Sequence, residues 1–176
     1  MMKTAHMKQQ RGAALITSLV ILVLVTLMGL TTMKAAAIQE KMAGGDADKS
    51  LAFQAAEMAL RDAELNIRNN LTSASGFADG CKASLCLAPT DGSSLADSVD
   101  WTSTKVAEYG SSTSAAALGG VSAQPRYIIE VLPDMKPPLG NGSSVQTEGT
   151  PYRITAIGFG RQPDTRVRLQ SVYYKP

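Results

Sequence analysis

Residues 13–33 read AALITSLVILVLVTLMGLTTM and contain no ionisable side chain. Arg11 closes the run on one side and Lys34 on the other. In a helix these twenty-one residues, at about 1.5 Å each, reach about 30 Å, the thickness of a bilayer's hydrocarbon core. A helix in water interrupts such a run with polar residues every few positions. The stretch therefore reads as membrane-spanning, and the rest of the chain is organised around it.

Residues 1–12 carry Lys3, Lys8 and Arg11 and no acid. Positive charge ahead of a first apolar segment holds that end in the cytoplasm and sends the rest across. Two processing readings follow. A secretory signal is cut beyond its apolar core, and Lys34-Ala35-Ala36-Ala37 offers a small-residue site, but the run is long for a removable core. The alternative places the cut ahead of the run, between Gly12 and Ala13, so that residues 1–12 leave as a leader and the helix is kept.

A short basic leader, Gly12 at its last position and an uninterrupted apolar helix from Ala13 resemble the class III signal of type IV pilins. The resemblance implies processing at Gly12 and Ala13 by a prepilin peptidase, with methylation of the new amine. This chain departs from the major-pilin pattern at two places: Ala13 stands where those proteins carry phenylalanine, and Thr17 where most carry glutamate. A carboxylate inside a bilayer costs about 2.5–3.5 kcal/mol on insertion scales and survives where it has a partner. In pilins the resemblance makes that partner the terminal amine of a neighbouring subunit. Thr17 cannot form the pair, which suits a subunit with nothing docked above it, at or near a fibre tip.

From residue 34 to 69 the pattern stays helical and becomes amphipathic. Ala56, Leu60, Ala63 and Ile67 recur at helical spacing, with Leu51 and Ala55 extending the stripe. Glu57 and Arg61 form a favourable i,i+4 pair. Gly44-Gly45 reads as a soft point, with Asp46 as an alternative cap for a second helix. The QAAEMALRDAE segment at 54–64 is similar to the corresponding helix of PilX-type minor pilins, and with Gly12-Ala13 and Thr17 it makes that family the expected one.

Residues 70–123 are rich in Ser, Ala, Gly, Thr and Asp, with Trp101 and Val106 as the expected core contacts of a short element within 98–109. Cys81 and Cys86 are the only cysteines. On the far side of an inner membrane they face an oxidising periplasm, so a disulfide is expected. His6 is the only histidine and lies in the leader, which argues against zinc. The acids at Asp91 and from Asp97 to Asp100 lack calcium-loop spacing and read as solvated. Arg161, Arg166 and Arg168 read as a solvated strand face. The whole chain has 17 basic and 15 acidic side chains. Removing the leader takes three basic residues and no acid, leaving 14 against 15, so the basic balance gives no support for nucleic-acid binding.

Residues 124–176 alternate in the manner of three strands. Arg126 to Leu132 is flanked by prolines. Tyr152 to Gly160 follows a Gly/Pro/Ser-rich stretch. Arg166 to Tyr174 places Val167 and Leu169 inward. The expected fold is α+β and pilin-like: a long N-terminal helix, membrane-spanning in its first half, packed by its second half on a small antiparallel sheet with one apolar face. Catalytic constellations and cofactor motifs are absent, and no enzyme activity is expected. The resemblance implies a type IV pilus minor pilin that primes assembly, enters the pilus at or near its tip, and supports twitching motility and adhesion. Its implied partners are other minor pilins, the major pilin and a PilY-type adhesin. The chain is expected in the inner membrane as a single-pass protein with a periplasmic head, and finally in the extracellular pilus. A type II secretion pseudopilin and a single-pass protein with a periplasmic sensory or binding domain are the other readings.

Overall fold

The structure, a computed structural model, describes residues 13–72, 75–133 and 149–175. The chain divides into two units at Gly45 and Asp46. One helix, α1 (Ala13–Asn70), runs through this boundary without a break. Gly44-Gly45 therefore does not end the helix, and Asp46 caps no second one. The preceding and following turns supply enough helix-forming residues to carry the cost of about 1 kcal/mol per glycine.

In the first unit the described apolar side chains of residues 13–33 are exposed, Leu15 at 69 % and Met33 at 72 % among them. Such a surface is stable only against lipid or other apolar helices. It is the one helix among the described residues long and apolar enough to cross a membrane.

The second unit is a helix on a sheet. The strands are β1 (Leu85–Leu87), β2 (Ala107–Glu108), β3 (Arg126–Val131), β4 (Thr150–Phe159) and β5 (Arg166–Lys175). β3, β4 and β5 form an antiparallel meander, with Tyr127 opposite Ala156 and Ala156 opposite Leu169. The free side of β3 takes both short strands. β2 joins antiparallel, and β1 joins parallel with Cys86 opposite Glu130. The sheet is therefore mixed, which corrects the antiparallel expectation. A parallel neighbour needs a long crossover, and residues 88–125 provide it.

The helix-facing side holds the main core. Ala52, Ala56, Ala59, Leu60, Ala63 and Ile67 of α1 are buried, and the C-terminal part of this stripe packs with Tyr127, Ile129, Tyr152, Ile154 and Ala156. Small alanines let the helix come close. At Gly158 an added Cβ would lie 2.2 Å from the Ala52 carbonyl oxygen and 2.3 Å from the Ala56 nitrogen. Asp48 ties the start of this stretch to the β4–β5 turn. Its carboxylate accepts from the Arg161 amide at 2.5 Å, and the Thr165 hydroxyl and that turn's amides hold it below the ordinary carboxylate range. At the other end the Lys175 ammonium donates to the Ile67 carbonyl at 2.7 Å and the Arg68 carbonyl at 3.1 Å. It thereby satisfies acceptors that a helix C-terminus leaves without partners.

The opposite face of the sheet is covered over β3 and β4, while on β5 it stays exposed. The crossover brings Leu95, Val99, Trp101 and Val106 onto Cys81, Cys86, Ala96 and Ile128. Trp101 and Val106 are core contacts, as their apolar character indicates, and the Trp101 Nε1 donates to the Ala96 carbonyl at 3.1 Å.

Candidate functional site

Two regions carry chemistry: the amino end of α1 and the clasp on the covered face of the head. Gly12 lies outside the described residues; Ala13 is the first residue of α1. Thr17 Oγ1 donates to the Ala13 carbonyl at 3.1 Å and to the Ala14 carbonyl at 3.0 Å. Ser18, Thr26 and Thr32 donate in the same way to Leu15, Val23 and Gly29. These hydroxyls are satisfied within their own helix and need no neighbour in a medium without water. Thr17 is thus neutral and self-satisfied where a carboxylate would require an external partner.

The clasp was missed by sequence reasoning. Glu130 and Arg153 stand directly opposite each other on β3 and β4. Read singly, they look like the polar half of an alternating strand. In the fold Glu130 is fully buried and the Arg153 side chain is 11 % exposed. Arg153 Nε and Nη2 each donate to the Glu130 carboxylate at 2.9 Å, a bidentate pairing. The remaining valences hold the crossover. The Ser94 hydroxyl donates to Glu130 at 2.8 Å and the Leu95 amide at 2.9 Å. Arg153 donates to the carbonyls of Gly92 and Ser93. Ser94 also caps the 3-10 turn Leu95–Asp97. The signal available in the sequence was an opposite-charge pair in register across two strands, but the register had to be known first.

Arg168 and Asp97 are solvent-exposed, as expected, and with Arg126 they also bond the same segment. Arg168 donates to Asp97 at 2.7 Å and to the Ala96 carbonyl at 3.2 Å. Arg126 donates to the Trp101 carbonyl. Asp91 and Asp100 close turns: hydroxyl and amide donors of Ser93 and Thr102 lower their pKa values below the usual carboxylate range. No group of acids, histidines or cysteines among the described residues is arranged to hold a metal.

On the helix side, Asp62, Asn66 and Asn70 recur every four residues and hold the segment after β2. Asp62 accepts from the Gly110 amide at 3.1 Å and from the Thr113 hydroxyl. Asn70 donates to the Ser112 carbonyl at 3.3 Å and to Asn66 at 3.0 Å. Tyr127 reaches Ser112 from the sheet, and burial raises its pKa.

Cys81 and Cys86 form a disulfide. It closes a turn in which Gly80, Cys81, Ala83 and Ser84 all adopt left-handed backbone, a conformation that non-glycine residues rarely take. The bond anchors β1 beside β3. The chain-entropy model assigns so small a loop about 2 kcal/mol. Replacing both cysteines with serine should lower the melting temperature by about 4–8 °C without unfolding the head. Thermal denaturation of the detergent-solubilised chain is the check, and either no change or loss of the folded state would count against this assignment.

Residues 11–61 match the model described as PilX N-terminal, and residues 82–175 match the model of the type IV pilus assembly protein PilX C-terminal region. No curated protein and no solved structure matches the chain. The second match spans more than half of the sequence, and together the two take in both the anchor helix and the strand-bearing head: the chain belongs to the PilX family of type IV pilus minor pilins.

Proposed function

We propose that this chain is a fibre-priming minor pilin that enters the pilus at or near its tip and supports twitching motility and adhesion. The observation that carries the reading is the uncharged helix from Ala13, with Thr17 satisfied by its own backbone. A pilin carrying glutamate there depends on an amine from a neighbour; this one depends on none and tolerates an empty position above it. In this reading prepilin peptidase cuts between Gly12 and Ala13 and the Ala13 amine is methylated. The head waits in the periplasm, tethered to the inner membrane, until assembly. Other minor pilins, the major pilin and a PilY-type adhesin are its partners.

The test is amino-terminal sequencing of the membrane-extracted protein. A start at Ala13 is expected, with a methylated amine. Gly12→Glu should leave a precursor longer by the leader and abolish function, because a side chain at that position obstructs the peptidase. A normally processed Gly12→Glu protein would overturn the processing assignment. Gene deletion is expected to reduce surface pili and leave protein secretion intact; the reverse pattern would favour a type II secretion pseudopilin.

A further inference from the structure

Lys82 and Leu85 exchange both backbone hydrogen bonds at 3.0 Å, so Ala83 and Ser84 are the two loop residues of a tight hairpin. Both have positive φ, 48° and 71°. That is the mirror-image turn which Asn-Gly favours and which a residue with a Cβ resists. Cys81, at φ 66°, is left-handed as well and follows a left-handed Gly80. Neither Cys, Ala nor Ser belongs to the types that enter this region most readily. The local sequence CKASLC therefore does not choose its own conformation. A covalent bond and the sheet impose it. Cys81 and Cys86, joined as a disulfide, flank the Lys82–Leu85 pair. The Ile129 amide donates to the Ser84 carbonyl at 2.8 Å, and the Ser84 amide donates to the Lys105 carbonyl at 3.0 Å. The strand that follows, β1, is only three residues long.

We propose that the Cys81–Cys86 bond is a redox latch: reduction by a dithiol releases residues 80–88 from the edge of β3, and oxidation sets them back. A thiolate of the dithiol attacks one sulfur of the pair. A mixed disulfide forms, the Cys81–Cys86 bond breaks, and the displaced cysteine takes up a proton. The second thiolate of the dithiol attacks the mixed disulfide, frees the other cysteine and closes its own disulfide. Two electrons and two protons pass in all from the dithiol to the protein. Access is from the Cys81 side. Gly80 and Cys81 line a cavity of about 350 Å3 together with Leu95, Val99 and Lys105, whereas Cys86 is fully buried. With the bond cut, the left-handed residues relax towards ordinary φ. Ser84 and β1 leave with them, because one short segment carries all three. The Ile129 amide then loses the Ser84 carbonyl, and the Val131 carbonyl loses the Ala88 amide. What remains is an open sheet edge, the kind of edge to which other chains add. The α1 stripe and the β3–β4–β5 meander keep their own contacts, so the opening is local.

The test is hydrogen exchange of the full-length chain in detergent, followed residue by residue before and after dithiothreitol. In the reduced chain the amides of Ser84, Leu85, Ala88 and Ile129 should exchange at least about tenfold faster, while those of β4 and β5 stay as slow as in the oxidised chain. The double variant Ala83→Asn with Ser84→Gly supplies the residues that suit this turn. After reduction its exchange at the same positions should stay within about twofold of the oxidised rate, because its closed hairpin no longer needs the bond. A bond that dithiothreitol leaves intact in the folded chain would overturn the proposal. So would unchanged protection in the reduced parent, or exchange that rises throughout the head. Reduction that opens the double variant as far as the parent would overturn it as well, since the left-handed turn would then not drive the release.

Discussion

Arg153→Leu is expected to remove about 3–5 kcal/mol of head stability, the usual consequence of stranding one partner of a buried ion pair. Glu130 has no exposed surface to turn towards water. Without the guanidinium its carboxylate keeps only the Ser94 hydroxyl and the Leu95 amide. The crossover loses its anchors at Gly92 and Ser93 at the same time. Thermal denaturation in detergent should show a melting temperature lower by on the order of 10 °C, and protease should cut within residues 91–106. The double variant Glu130→Leu with Arg153→Leu separates the two contributions. It leaves no unpaired charge, so most of the melting temperature should return, while the crossover stays open to protease. If the double variant melts as low as the single one, the loss comes from undocking the crossover and not from the stranded carboxylate.

Gly158→Ala is the second substitution with a large expected effect. The new methyl group would stand 2.2 Å from the Ala52 carbonyl oxygen and 2.3 Å from the Ala56 nitrogen. These are backbone atoms of α1, and no rotamer change relieves the overlap. The helix must lift from β4, opening the contact that buries Ala52 and Ala56. Overpacking of side chains alone costs about 1–3 kcal/mol; a clash with backbone belongs at or beyond the upper end. Chemical denaturation of Gly158→Ala beside Gly76→Ala makes the comparison. Nothing lies within 4 Å of the methyl added at Gly76, and that change should stay within about 0.5 kcal/mol of the parent. Equal stability of the two variants would show that α1 does not sit this close to the sheet.

Much of the architecture is legible in local pattern. An uncharged run of membrane length, a helical apolar stripe and three alternating strands each record a short-range periodicity, and each corresponds to an element. Ala56, Leu60, Ala63 and Ile67 are buried together as their spacing requires, and Val167 and Leu169 face inward on β5 while Arg166, Arg168 and Gln170 face out. Cys81 and Cys86, the only two cysteines of the sequence, pair within a short loop. The parallel strand β1 was not legible. It is three residues long, too short for a pattern, and its place depends on where residues 88–125 return. The bonds to the crossover were not legible for a related reason: Arg168 and Asp97, both exposed as expected, are 71 positions apart, and Arg153 and Ser93 are 60, so nothing in either neighbourhood identifies the partner.

What the sequence determined by itself is therefore the set of properties that depend on near neighbours: the charge-free apolar run, the apolar face that must be covered, and a neutral Thr17 in place of a carboxylate. What only the tertiary structure decided is which polar groups are removed from water. Glu130 alternates with apolar residues as a solvated strand residue does. It is buried because β4 sets Arg153 opposite it and because a distant, pattern-poor crossover closes over both. Burial of a charge is a property of everything packed around it. The free energy that makes it tolerable comes from bonds to groups far away in the chain, and local periodicity carries no record of them.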